Sequence, residues 1–586
     1  MKQRTNNFSF VLFPVAILVV SFVCSFLTYT YNLAFALWLG VIASFVLTVV
    51  GILVSGREVS WLLIVMAFAI SMRIPSFFQT YPWGFAYPMA DSGLDLTLTN
   101  LIQESGKWVP GMGFNVIIGY SYYPILHIFT AMTSTVTGIE TTTLARIFPF
   151  IVGPLVSVFF YLALRKVLSK EVAIWAALIF NLNGYWHFWE FFVREFMAMI
   201  FFSMVIYFVF SMYKIRERRN EFFVLGILAA FMAIASHAWT SYNLLLILAV
   251  LAISPALYGR VHSWLVKFRT RREYKFSSAQ KRLVLSSFLA VVSILTLSWM
   301  LNIAYNLFIV HEHQLLDILT NLLSPNPSFV VHSVQGFGQS SRFLLYFGYA
   351  ILGLIGVIEI AGRFFSREKT YDDYIFESWF VFSAAYLIAA TFLLPSGSGW
   401  WVVSWRSWSF AFFGLAPLIG LMLARKTGGV KSSRFKVPKK LKLVLPFLLI
   451  FPLISAVLTA PPEILDPNYP RIDDSFYQTA LWVKTYLPNS TFALDPYSHT
   501  VIVPYGRADT YTSLSWPGGE TTFLQTVYQF GNETGPGSLS WGLIAFNKRI
   551  PEWIPGASND SSLLDEQYNK IYDSKSLSIY SLPPDA

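Results

Sequence analysis

The chain has 586 residues, 55% of them hydrophobic and 13% charged, against about 25% charged in an ordinary soluble domain. Its net charge of +10 comes from short basic clusters between apolar runs, so the charge does not describe a nucleic-acid-binding face. Cys24, the single cysteine, lies inside an apolar run, which excludes a disulfide framework, a zinc cluster and a thiol redox pair.

Met1-Lys2-Gln3-Arg4 opens an apolar run to about Leu27 with no small-residue cleavage site, and a second run follows closely. This reads as a retained first helix rather than a removed signal peptide. Crossing the hydrocarbon takes about 20 apolar residues as a helix. Candidate spans lie at 8–28, 33–55, 60–76, 145–165, 172–187, 196–213, 222–239, 240–257, 283–309, 342–362, 374–395, 403–424 and 443–460, about thirteen in all. The segment 121–137 is one more apolar candidate, and it decides the topology.

Basic residues settle its status. With Lys2 and Arg4 inside and 121–137 not crossing, the inner loops collect Arg57, then Arg165, Lys166 and Lys170, then Lys214, Arg216, Arg218 and Arg219. They also collect the basic stretches 260–282 and 425–442 and the trio Arg363, Arg367 and Lys369. Before the tail, the outer segments keep only Arg73, Lys107, Arg146, Arg194, Arg342 and Arg406. A crossing at 121–137 inverts everything after it and destroys this bias. The segment also carries Pro124 and two tyrosines, so it is expected to lie along the outer surface or to re-enter.

The expected fold is therefore mainly α: a polytopic helical bundle over 1–460 with its N-terminus inside, outer loops at 77–144 and 310–341, and a small extracytoplasmic α/β domain over 461–586. In that tail Asp473–Leu487 reads as a helix with Ala480, Leu481, Val483 and Tyr486 on one face. Strands are expected at Thr491–Asp495 and Thr500–Pro504, and a hairpin over Lys570–Leu582 turning at Ser574-Lys575. Asn489, Asn532 and Asn559 each open an N-x-Ser/Thr sequon, which suits a tail outside the cytoplasm.

Chemistry-bearing residues gather at the outer ends of the spans. Asp91 and Asp95 are four apart and share one face if their stretch is helical. Such an acid can act as a base towards a hydroxyl or hold a divalent ion, or simply cap a surface helix. Glu190 with Arg194 either pins its loop as an ion pair or serves a site. His237, beside Trp239 and Thr240, sits at a tight turn where a lone histidine is commonly structural. His311 and His313 are two apart, a spacing that turns their rings away from one another on a helix. Arg342 and Arg406 lie at span ends, Arg406 among Trp400, Trp401 and Trp405. A guanidinium there can grip a phosphate bidentately or snorkel to the headgroups. There is no Walker A motif and no GxGxxG loop.

The order of these features resembles the GT-C superfamily of polytopic membrane glycosyltransferases, which includes the protein mannosyltransferases, the aminoarabinose transferases and the catalytic subunit of oligosaccharyltransferase. The likeness rests on the acidic outer loop with Asp91 and Asp95, the Tyr122-Tyr123-Pro124-Ile125-Leu126 segment, and Gly138-Ile139-Glu140. It continues through Leu144-Ala145-Arg146-Ile147-Phe148-Pro149-Phe150, the Glu190/Arg194 loop and Ser236-His237-Ala238-Trp239-Thr240. Here the acidic loop follows the third span rather than the first, and the Trp-Trp-Asp-x-Gly string of oligosaccharyltransferases is absent, Ser540-Trp541-Gly542 being the nearest.

The resemblance implies an enzyme that transfers a sugar, with inversion, from a polyprenyl-phosphate donor to a protein or glycan acceptor on the outer face of the cell membrane. By carry-over Asp91 is the base. Asp95 and Glu190 orient the base or acceptor, or bind a divalent cation (Mg or Mn) if one is used. Arg194, Arg342 and Arg406 face the donor phosphate, while His237, Trp239 and Trp401 contact substrate. A transporter or flippase for a lipid-linked glycan is the competing class, but it calls for mid-span ionisable residues and inverted repeats, which this sequence lacks. A polysaccharide polymerase or ligase of another fold is a further alternative.

Overall fold

The computed structural model describes residues 2–79, 90–112, 118–182, 192–270, 279–309, 313, 320, 371–392, 400–424, 445–450, 453–454, 474–487, 490–494, 502, 509–510, 543–547, 569–574 and 577–581. In chain order the helices are α1 (Lys2–Tyr31), α2 (Ala34–Val54), α3 (Glu58–Ser71), α4 (Ile74–Gln79), α5 (Ala90–Ser105), α6 (Ile118–Ser121), α7 (Ile125–Thr137) and α8 (Thr141–Arg165). They continue with α9 (Lys170–Phe180), α10 (Arg194–Lys214), α11 (Arg219–Ile234), α12 (Ala238–Thr270), α13 (Ala279–Asn302), α14 (Tyr371–Phe392), α15 (Trp400–Ala424) and α16 (Asp474–Tyr486). The strands are β1 (Thr491–Leu494), β2 (Asp509–Thr510), β3 (Leu543–Asn547), β4 (Asn569–Asp573) and β5 (Leu577–Ser581).

The chain forms two compact units. One comprises Met1–Pro75, Phe150–Glu190 and Arg194–Leu465, the other Ser76–Pro149, Phe191–Val193 and Asp466–Ala586.

In the first unit, α1 is tied to α3 by the Ser21 hydroxyl, which donates to the Ser71 carbonyl at 2.7 Å. Deeper in, Phe413 of α15 meets Phe160 of α8, Phe180 of α9 and Phe202 of α10 at ring distances of 4.9, 4.5 and 4.7 Å. The helices approach closely because Gly420 of α15 has no side chain; a Cβ there would stand 2.8 Å from the Val172 carbonyl oxygen of α9. Small residues at helix contacts are the usual means of close packing in lipid, where burial of apolar surface gives no drive for association.

Seven helices among the described residues are long and apolar enough to cross a membrane: Val11–Tyr31, Ala34–Val54, Glu58–Phe78, Thr141–Arg165, Arg194–Lys214, Ala238–Trp264 and Val284–Asn302. The chain is a membrane protein. Of the other expected spans, 172–187 corresponds to the 11-residue α9 and 222–239 to the 16-residue α11. The run 342–362 and most of 443–460 lie outside the described residues. Helix α7 has 13 residues. At 1.5 Å per residue that is about 20 Å, short of a hydrocarbon core of about 30 Å. It stops at Gly138, whose φ of 71° is the left-handed conformation that closes helices.

The second unit holds a five-stranded sheet in the order β2-β1-β3-β5-β4. Strand β1 runs parallel to β2 and β3, while β5 is antiparallel to β3 and β4. The expected hairpin forms, with Ser574 in its turn. Helix α16 is joined to that turn by the Ser475 and Thr479 hydroxyls, each 3.1 Å from the Ser574 hydroxyl. Its buried face is Phe476, Thr479, Ala480 and Val483. Tyr486, expected on that face, is 66% exposed. It stands in the last residue of the helix, and its ring leans on Trp482 at 5.4 Å instead. Of the strand expected at 500–504 only Ile502 is described, and it is buried and helical. The three sequon asparagines lie outside the described residues.

Candidate active site

The acidic pair does sit on a helix. Asp91 and Asp95 both belong to α5, one turn apart. Position 91 falls in the first turn, where the helix dipole favours a carboxylate; its side chain lies outside the described set. From Ser92 to Thr99 every residue of α5 is buried. The apolar members Leu98 and Ile102 pack against Ala131 of α7, with Trp108, Met112, Tyr120 and Ile128 around them.

The polar members form a stripe at four-residue spacing. Asp95 faces His127 of α7, with Oδ1 3.4 Å from Nε2 and both side chains fully buried. One turn on, the Thr99 hydroxyl lies 3.5 Å from His127 Nδ1 and donates to the Asp95 carbonyl at 2.7 Å. Another turn on, Gln103 donates to the Ser134 hydroxyl at 2.9 Å. Contacts of 95 with 127 and of 103 with 134 mean that α5 and α7 run in the same direction, so their first turns share one end of the pair. The start of α8 is fixed to the same helix, Thr141 donating to the Asn100 side-chain oxygen at 2.7 Å.

His127 is a residue that the sequence reading missed. The Thr99 hydroxyl gives its proton to the Asp95 carbonyl, so towards His127 it can act only as an acceptor. On the other side of the ring, Nε2 faces Asp95 Oδ1. The 3.4 Å separation is that of an ion pair without hydrogen-bond alignment.

In the first unit, Arg194 opens α10 and is half-buried, and Glu195 beside it is buried. Close by lies Arg73, 1% exposed, although sequence counting treats it as an ordinary loop cation. Its guanidinium is 5.5 Å from the Phe196 ring in the first turn of α10 and donates to the Ala69 carbonyl. It occupies the space that Gly153 of α8 leaves free, into which any Cβ would intrude. Arg194 thus begins, and Arg73 packs against, the first turn of a 21-residue helix, the end at which anions are favoured.

His237 immediately precedes α12, and its Nδ1 is 3.1 Å from the Thr240 hydroxyl and accepts from the Thr240 backbone N–H at 3.4 Å. That is the geometry of a helix cap. Trp239 is half-buried against Tyr242, ring to ring 6.2 Å. Trp401 and Arg406 belong to the first two turns of α15, with side chains outside the described set; Glu190 and Arg342 lie outside it altogether, as do His311 and Glu312. Among the described residues no three His, Cys, Asp or Glu side chains come together as a metal site requires.

No protein-family profile matches the sequence, and no curated protein matches it. Solved structures do. The apo oligosaccharyltransferase of Archaeoglobus fulgidus is similar with a TM-score of 0.52 at 11% identity, over 90% of this chain and 74% of that one. The same enzyme tethered to an acceptor peptide with an NVT sequon gives 0.50 at 13% identity, over 90% and 75%. This chain has the GT-C fold. ArnT of Cupriavidus metallidurans bound to undecaprenyl phosphate is more distant, at a TM-score of 0.42 and 14% identity over 89% and 98%. Within the GT-C fold, the buried polar face of α5 brings Asp95 and Thr99 against His127.

Proposed function

We propose that the chain is a membrane glycosyltransferase that moves a sugar from a polyprenyl-phosphate carrier to an acceptor on the outer face of the cell membrane. The observation that supports this most is the acid-bearing helix α5, buried and held by His127 within a GT-C fold. Positive-inside counting supports an inner N-terminus, about thirteen spans over 1–460 and an outer domain over 461–586. Nucleotide sugars are not expected on that side, so a lipid-linked donor is required.

In this reading the Asp91 carboxylate takes the proton of the acceptor hydroxyl or amide as its heteroatom attacks the anomeric carbon. The bond from that carbon to the phosphate oxygen breaks, and its electron pair leaves with the lipid phosphate. A single displacement inverts the anomeric centre. Arg194, Arg342 and Arg406 stabilise the growing charge on the leaving phosphate. Asp95 orients the base and Glu190 the acceptor, while His237, Trp239 and Trp401 line the substrate path. The A. fulgidus relative was solved with an acceptor peptide, which makes a protein the first acceptor to try; a glycan is the second.

The test is transfer of labelled sugar from a panel of polyprenyl-phosphate sugars by purified protein, with membrane extract as acceptor. Label moving from one donor establishes the activity and names the sugar. No transfer together with no binding of any lipid-linked sugar overturns the reading.

A further inference from the structure

We infer that His127 is a positioning residue for the proposed reaction, acting through Asp95 to fix the rotation of α5 and hence the place of Asp91. The inference rests on the reading of Asp91 as the base.

Helix α5 opens one residue before Asp91, so the contacts described further along the helix bear on where position 91 sits. The apolar contacts of Leu98 and Ile102 with Ala131 hold α5 against α7. The polar stripe adds a second set of contacts between the same two helices. His127 touches α5 at two successive turns, Asp95 through Nε2 and Thr99 through Nδ1. One rigid ring with two distinguishable nitrogens thereby sets both the angle and the height of α5 against α7. Position 91 is the next step of that stripe, about 6 Å along the axis from Asp95 at 1.5 Å per residue. A shift of about 1 Å in a reacting group can cost roughly 100-fold in rate.

A ring kept only for stability could be replaced by an apolar one of similar volume. Here that replacement would remove the polar group that faces the fully buried Asp95 carboxyl, a change that favours a turn or shift of the helix.

The experiment compares His127→Ala, His127→Gln and Thr99→Val with wild type in the sugar-transfer assay, alongside unfolding midpoints in detergent. His127→Ala is expected to lower kcat roughly 10- to 100-fold with the donor KM within about twofold. His127→Gln, which still offers a donor to Asp95, should recover part of that loss. Should His127→Ala not fold, Thr99→Val carries the test, with a smaller fall of about threefold to tenfold in kcat and the same unchanged KM. A kcat within twofold of wild type in the folded variants overturns the inference, as does a raised KM with unchanged kcat. Absence of transfer by wild type, together with no binding of any lipid-linked sugar, overturns the glycosyltransferase reading, and this inference with it.

Discussion

Two carboxylate–cation contacts in this protein invite comparison. Glu58 of α3 pairs with Arg165 of α8 at 3.0 Å and accepts a hydrogen bond from Tyr161 as well. Asp95 of α5 faces His127 of α7 at 3.4 Å. By distance the first looks stronger. By environment the second matters more, because the Glu58 and Arg165 side chains are 37% and 41% exposed, while Asp95 and His127 are fully enclosed. A solvated pair is worth about 0–1 kcal/mol, since water serves each charge nearly as well as the partner does. An enclosed pair has no water to substitute for the partner, and removing one member leaves the other buried away from solvent. The same interaction type is thus an anchor of modest worth at one place and a determinant of helix setting at the other.

That difference gives a graded series. Asp95→Ala should be the most damaging to stability, about 3–5 kcal/mol, read as a lowered unfolding midpoint in detergent; a change below about 1 kcal/mol breaks the comparison. Gly153→Ala comes next, because its new methyl intrudes on the buried Arg73 guanidinium. A cost of about 1–3 kcal/mol is expected, and Arg73→Ala on the same background should relieve the clash. Glu58→Gln should cost no more than about 1 kcal/mol, a loss that high salt conceals.

Glu221 stands at the foot of the series. Its carboxylate accepts from Arg218 at 2.5 and 2.8 Å, a hydrogen bond that holds its pKa below the usual carboxylate range. A lowered carboxyl pKa adds stability above its ordinary value and loses it as pH falls through the lowered one. Both side chains are more than half exposed, so Glu221→Gln should leave the unfolding midpoint unchanged at neutral pH. A clear drop at pH 7 that disappears in acid would show that solvated pairs contribute more here than burial allows.

Much of this architecture is legible in the sequence. Apolar runs mark α1, α2, α8, α10 and α13, and Asp474–Tyr486 and the Ser574 hairpin form close to where periodicity places them. Tyr486 illustrates a limit: the repeat that buries Phe476, Ala480 and Val483 extends to it, but the helix ends there and the ring stacks on Trp482. The shared face of Asp91 and Asp95 follows from their spacing once the stretch is helical, and the helix itself is seen only in the structure. His127 and Arg73 do not follow from any spacing. His127 is a single histidine in an apolar helix, and its partner lies 32 residues earlier in the chain. Arg73 looks like one more loop cation, and its burial depends on a glycine in another helix. Local patterns carry periodicity; they do not carry which helix faces are brought together.

The most direct test of the central claim is a single-turnover measurement of sugar transfer by Asp91→Asn, using the donor identified for wild type and a variant shown to insert and fold. The account predicts a loss of at least roughly 100-fold in the transfer rate with donor binding retained, as expected for removal of a general base. Transfer at the wild-type rate by the folded variant would contradict the account: Asp91 would then not be the base, and α5 would be a buried support rather than the catalytic helix.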